Sequence, residues 1–144
     1  MKITSSDFKH SGKIPTKFTG DGENINPNLV IEGAPNNCRS LVLIVDDPDA
    51  PAGNWIHWIV WNIQPNTKEI KENSIPSKSI QGKNTSRDVG YEGPCPPGGT
   101  HRYFFRLYAL DCMLNLKIGS NREDLEEAMK RHILDKTELI GLYR

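Results

Sequence analysis

Four polar residues able to carry chemistry stand beside proline- and glycine-rich breaks in the chain. Asp47 and Asp49 lie in DDPDAP (Asp46–Pro51), His57 in WIHW (Trp55–Trp58), and His101 in HRY (His101–Tyr103) after the rigid run GPCPPGG (Gly93–Gly99). Tyr103 follows on the His101 side of its strand, and Tyr91 precedes the run. Two imidazoles and a tyrosine hydroxyl offer hydrogen bonds to an anion, and a nearby carboxylate can fix a histidine ring and favour its charged form. Such a set suits a phosphate or carboxylate head group. Rows of Trp, Phe and Tyr behind it suit an apolar or planar remainder.

Each residue also has a purely structural reading. A histidine in an apolar strand is commonly a satisfied core residue. Asp47 and Asp49 can organise the Asp-Pro turn through nearby backbone amides, and this is the stronger reading for Asp49. Tyr103 can be packing with a wet hydroxyl. Cys95, between two prolines and six residues before His101, invites a nucleophile reading, but no oxyanion donors or third member are identifiable. A metal site from Asp47, His57 and His101 ranks below the anion site, because the local spacings of zinc sites are absent.

The elements that must position these groups are three strong strands. Leu41–Asp47 places Leu41, Leu43, Val45 and Asp47 on one face and Val42, Ile44 and Asp46 on the other. Trp55–Ile63 is apolar on both faces except at His57 and Asn62, as in a strand deep in a sheet or between layers. Arg102–Leu110, entered through His101, carries Tyr103, Phe105, Leu107 and Ala109 on its core-facing side. Prolines 94, 96 and 97 with glycines 93, 98 and 99 exclude helix and inner strand, so Gly93–Gly99 is a shaped loop at the mouth of that core.

The rest of the chain is weaker in signal. Residues 1–28 read as loop with a short strand over Thr16–Thr19, and Leu29–Glu32 as a strand. Gln64–Val89 reads as a polar surface excursion able to cover one side of a pocket. Leu114–Ile118 is a short strand candidate. The Ser120–Glu123 capping box predicts a helix to about Leu134, with Leu125, Ala128, Met129, His132 and Ile133 as its apolar stripe and Glu126–Lys130 and Glu127–Arg131 as exposed pairs. Glu138–Tyr143 reads as a last short strand. The pattern is that of a mostly β protein with sandwich-like layering and one main helix.

With 144 residues and no internal repeat or linker, a single domain over 1–144 is expected. Eighteen basic and eighteen acidic residues balance, without the basic stripe of a nucleic-acid binder. No apolar run reaches membrane-spanning length and the N-terminus lacks a signal-peptide core, so a cytoplasmic protein without stable membrane insertion is expected. Cys38, Cys95 and Cys112 are an odd number without metal-like spacing, and reduced thiols, at least one buried, are expected.

The segments DDPDAP, WIHW and GPCPPGGTHRYFFRLYALD (Gly93–Asp111), in that order, resemble the two signature regions of the phosphatidylethanolamine-binding protein family, also called the Raf kinase inhibitor protein family. NINPNLVIEGAP and the closing ELIGLYR are similar to its short prokaryotic branch, so the resemblance spans nearly the whole chain. It implies an antiparallel β-sandwich of a large and a small sheet with a peripheral helix, and a pocket for anions such as phosphate or phosphorylated head groups. Carried over by position, Asp47, His57 and His101 would bind the anion. Pro96 and Pro97 would line the wall, with Tyr103 nearby and Asp49 and Tyr91 as secondary candidates. No cofactor and no metal are expected. The expected function is small-anion binding by a non-enzymatic protein that regulates others by binding them, a kinase or serine protease being the kind of target, with a homodimer as the expected assembly. Inhibition of serine proteases through residues 10–28 or 64–89 is the main alternative. A hydrolase using Asp47 and His101 is a weaker one. The chain ends at Arg144 without the longer C-terminal helix of eukaryotic relatives.

Overall fold

A computed structural model describes residues 1–144. Nine strands, β1 (Lys2–Thr4), β2 (Gly12–Lys13), β3 (Leu29–Glu32), β4 (Ser40–Asp47), β5 (Trp55–Ile63), β6 (Glu69–Ile70), β7 (Ile80–Gln81), β8 (His101–Leu110) and β9 (Ile133–Tyr143), accompany a single α-helix, α1 (Arg122–Met129). They form a small sheet in the order β1-β3-β6 and a large one in the order β2-β9-β8-β4-β5-β7. All pairings are antiparallel except β2 with β9. The mostly β, two-sheet architecture with one helix is as expected.

Both faces of the large sheet are covered, which is why its central strands are apolar throughout. Leu41, Leu43, Val45, Trp58, Val60, Phe105 and Leu107 pack with Ile3, Leu29, Ile31 and Ile70 of the small sheet. Val42, Ile44, Ile56, Ile59 and Trp61 pack on the opposite side with Leu114, Leu125 and Met129, so α1 and the segment before it form a third layer. The alternation of β4 holds throughout. Its two terminal acids, Asp46 and Asp47, therefore enter different layers and have different partners.

Several weaker expectations are corrected. Thr16–Phe18 is a 3-10 helix rather than a strand, and β1 and β2 occupy a segment that reads as loop. Leu114–Ile118 forms no strand; Leu114 is instead held at both backbone groups by Asn62 (2.8 and 2.9 Å). The N-cap of α1 is Asn121, which forms its capping box with Asp124, one residue later than the Ser120–Glu123 frame. The helix ends at Met129, because Arg131 adopts a left-handed φ of 68° and turns the chain into β9. His132 and Ile133 consequently leave the helical stripe, and β9 runs over eleven residues rather than the final six. The ion pairs within the helix are Arg122–Glu126 and Glu127–Lys130, in place of Glu126–Lys130 and Glu127–Arg131. No disulfide forms, and Cys38 is the buried thiol.

Candidate functional site

The order β8-β4-β5 builds the site. β4 is flanked by two antiparallel neighbours, so its C-terminal end lies beside the N-terminal ends of β5 and β8. Asp47, His57 and His101 are therefore brought to one edge of the sheet although 54 residues separate the first from the last. A bulge sharpens the placement. Val45 pairs with Trp58 but Asp46 with Ile56, which leaves His57 without a cross-strand partner. His57 and Trp58 then turn toward the same layer: Trp58 packs in the core with Tyr103, and the His57 ring meets the Tyr103 ring edge-on at 5.3 Å.

Around these rings is a cavity of about 330 Å³, at the small end of the range for ligand sites. Asp47, His57, Pro96, Pro97, His101 and Tyr103 all line it. Ala50, Pro51, Ala52 and Trp55 complete the turn side, and Glu92, Gly93 and Cys95 the loop side. Of these, Ala50, Pro51 and Trp55 lie in the motifs named above without being assigned to the lining, and Ala52 follows DDPDAP directly. Glu92 acts in part through its backbone, which no side-chain pattern reveals.

Both histidines are fixed from behind. His101 is 7% exposed, and its Nδ1 lies 2.7 Å from Oδ2 of Asp47. The other Asp47 oxygen accepts the Asp49 backbone N–H at 2.8 Å, so one carboxylate holds both the turn and the ring. His57 is 5% exposed, and its Nδ1 lies 2.6 Å from the Glu92 carbonyl. A carbonyl oxygen can only accept, so this nitrogen carries a proton. In both rings Nε2 is the nitrogen left for a ligand. Tyr103 lies between them, stacked on His101 at a centroid distance of 6.4 Å, and burial raises the pKa of its phenol.

Burial also lowers the pKa of His57, against weaker opposing effects of the Glu92 carbonyl and the Asp47 carboxylate. The sign for stability follows. Below the ordinary histidine pKa of about 6.5 the unfolded chain takes up a proton that folded His57 resists, so this contribution is complete above that pH and is lost as pH falls. Chemical denaturation is expected to show stability declining between pH 6.5 and 5.5, by at most about 1.4 kcal/mol per pH unit, with a shallower decline in His57→Gln. Equal slopes in the two proteins would contradict this assignment.

Two candidates stand outside the cavity. Asp49 turns away and accepts from the backbone N–H, Nε and NH2 of Arg102 at 2.8–2.9 Å. These hydrogen bonds hold its carboxyl down at about pKa 2. Asp49 therefore clamps the turn to β8. Tyr91 lies behind the wall, with its ring against Trp58 and its hydroxyl donating to the Phe18 carbonyl at 2.7 Å. Gln64–Val89 contributes no lining residue, so the expectation that it covers the pocket is not met. The segment around residues 18–24 supports the loop instead. The Gly20 N–H donates to the Pro94 carbonyl, and the Gly93 N–H to Asn24 Oδ1 at 2.7 Å.

That docking is the reason position 93 is glycine. A Cβ there would stand 2.4 Å from the Phe18 carbonyl oxygen and 2.8 Å from the Thr19 Cα, both backbone atoms. Gly93→Ala is expected to cost about 1–3 kcal/mol and to displace the Pro94–Pro97 wall, shifting the NMR amide signals of Gly20 and Asn24. An unshifted spectrum at native stability would show that the loop is not seated this way.

Asp47, His57 and His101 do not bring three ligand atoms within 4.8 Å of one another. No helix is long and apolar enough to cross a membrane.

Comparison with known proteins agrees with this geometry. A sequence model described as phosphatidylethanolamine-binding protein matches residues 4–144. The chain is 50% identical to a UPF0098 protein of Methanothermobacter thermautotrophicus, covering 100% of this chain and 99% of the relative. It is 43% identical to a UPF0098 protein of Chlamydia muridarum over 99% and 98% of the two chains. The crystal structure of a phosphatidylethanolamine-binding protein homologue from Chlamydia trachomatis superposes with a TM-score of 0.95 at 42% identity, covering 99% of this chain and 95% of the other. Escherichia coli YbcL, described as a member of the mammalian family, superposes with a TM-score of 0.92 at 26% identity, covering 99% and 97%.

Proposed function

Because the chain belongs to the phosphatidylethanolamine-binding protein family, we propose that its cavity binds a small anion of the phosphate class, free or as a phosphorylated head group. The observation that carries this reading is the pair of imidazoles, each tied at Nδ1 and each lining one small cavity through the remainder of its ring. Pro96, Pro97 and Trp55 give the wall, and Tyr103 supports both rings. The protein acts by binding rather than by turnover. The weaker reading, a hydrolase using Asp47 and His101 as an acid/base pair, instead predicts phosphoester turnover that is lost in His101→Ala. Regulation of a partner protein would follow from occupancy of this cavity.

The tautomer of His57 refines the chemistry. With Nδ1–H given to Glu92 and the ring favoured neutral, Nε2 offers a lone pair and accepts a hydrogen bond. A phosphate oxygen can meet it only if one proton lies between them, carried by the ligand or gained by the ring. Phosphomonoesters lose their second proton near pH 6. Phosphoethanolamine affinity is therefore expected to fall as pH rises from 6 to 8, approaching tenfold per unit at the alkaline end, where one proton must be taken up. A calorimetric series across that range checks it. Affinity independent of pH would remove His57 from the binding scheme.

A further inference from the structure

Away from the cavity, at the far end of β8, the fold gathers Asp111, Cys112 and His132. One ligand atom from each, a carboxylate oxygen, the thiol sulfur and an imidazole nitrogen, all lie within 4.8 Å of one another. This is the one such group of three in the protein, and it is held by backbone. The Asp111 N–H donates to the His132 carbonyl at 3.0 Å, and the Cys112 carbonyl accepts from buried Ser40 at 2.6 Å. The left-handed Arg131 turn after α1 sets His132 opposite the end of β8, with its Nδ1 2.8 Å from Oδ1 of Asp111.

We propose that Asp111, Cys112 and His132 form a binding site for a divalent transition metal, with zinc the best-matched cation. Zinc takes carboxylate oxygen, imidazole nitrogen and thiolate sulfur at about 2.0–2.3 Å, and sites with three protein ligands complete the tetrahedron with water. The His132–Asp111 contact is a hydrogen bond whose shared proton a cation can replace. The side chains of both residues are about half exposed, which leaves them free to close on an ion. Cys112 is half-buried against the Val42 and Ile44 core layer, with its sulfur within 4.8 Å of the Asp111 and His132 ligand atoms. Only a cation brings thiolate and carboxylate together favourably. The bound ion would tie the end of β8 to the turn between α1 and β9.

The test is a titration of the reduced, full-length protein with Co(II), followed by displacement with Zn(II). The expected result is a saturable thiolate-to-cobalt charge-transfer absorption at one ion per chain, bleached by zinc. It is lost in Cys112→Ser and retained in Cys95→Ser, which alters the exposed thiol. Asp111→Asn and His132→Ala, both surface changes that leave the core intact, are expected to weaken Co(II) binding by roughly tenfold or more, since even outer-shell partners of metals are worth that much. Zinc is expected to raise the thermal midpoint of the native protein, and to raise that of His132→Ala by less at the same concentration. Absence of a saturable absorption in the native protein would overturn the proposal and leave a surface ion pair only. So would an absorption that survives Cys112→Ser, or native-like affinity in both Asp111→Asn and His132→Ala.

Discussion

Asp46→Ala is expected to lower the unfolding free energy by about 3 kcal/mol, and Asp46→Asn by somewhat less. Asp46 is 0% exposed and ends β4 on the face opposite Asp47. Its carboxylate accepts from Arg106 Nε at 3.0 Å, Arg122 NH1 at 2.7 Å and Asn54 Nδ2 at 2.9 Å. A buried carboxylate satisfied by two guanidinium groups is costly to dismantle, because each charge has given up water to meet the others. Arg106 and Arg122 keep 24% and 16% side-chain exposure, so part of their hydration is recovered when the acid is removed. The cost therefore falls at the lower end of the 3–5 kcal/mol range for broken buried pairs. Arg122 is the first residue of α1, so the same change loosens the helix from the sheet. For a chain of this size the loss corresponds to a thermal midpoint lowered by roughly 6–12 °C. A shift of only a degree or two would mean that Arg122 anchors nothing.

Asp47→Ala, one residue along, is expected to act mainly on binding. Its carboxylate holds the His101 ring at 2.7 Å and the Asp49 amide at 2.8 Å, and both bonds vanish together. An unheld imidazole samples orientations in which Nε2 no longer meets the anion. A hydrogen bond to a charged partner contributes about 1.5–3 kcal/mol, so phosphoethanolamine affinity should fall roughly ten- to a hundredfold. Asp47→Asn separates the two roles. If its oxygen keeps the Asp49 N–H, its amide group donates to His101 Nδ1 and forces the proton onto Nε2. The turn then survives while the ring's tautomer is inverted. Calorimetry on both variants checks this, and undiminished affinity in Asp47→Ala would separate His101 orientation from binding.

How legible the fold was depended on how each element is stabilised. β4, β5 and β8 are buried on both faces, so their side chains declare them. β9 is held largely by its backbone ladder with β8 while its first half stays partly exposed, and its sequence resembles the end of a helix until Arg131 turns the chain. Strands of two or three residues, such as β2, β6 and β7, leave no periodicity to detect. The capping frames Ser120–Glu123 and Asn121–Asp124 are chemically equivalent, and burial of Leu125 and Met129 selects the second. The cavity was legible where residue type and a rigid break coincide, as at Asp47, His57, Pro96 and His101. Asp49 and Tyr91 have the right chemistry, but Arg102 and the Phe18 carbonyl draw them elsewhere. The β5 bulge that aims His57 has no local signature, and neither does the Glu92 carbonyl behind it.

The central claim is that two back-tethered imidazoles make this cavity an anion site. The direct measurement is a calorimetric titration with phosphoethanolamine of the native protein and of a His57→Ala/His101→Ala variant whose thermal unfolding shows it to be folded. Saturable one-to-one binding to the native protein, absent from the variant, is the predicted result. Equal binding to both proteins, or none to the native protein at millimolar ligand, would contradict it.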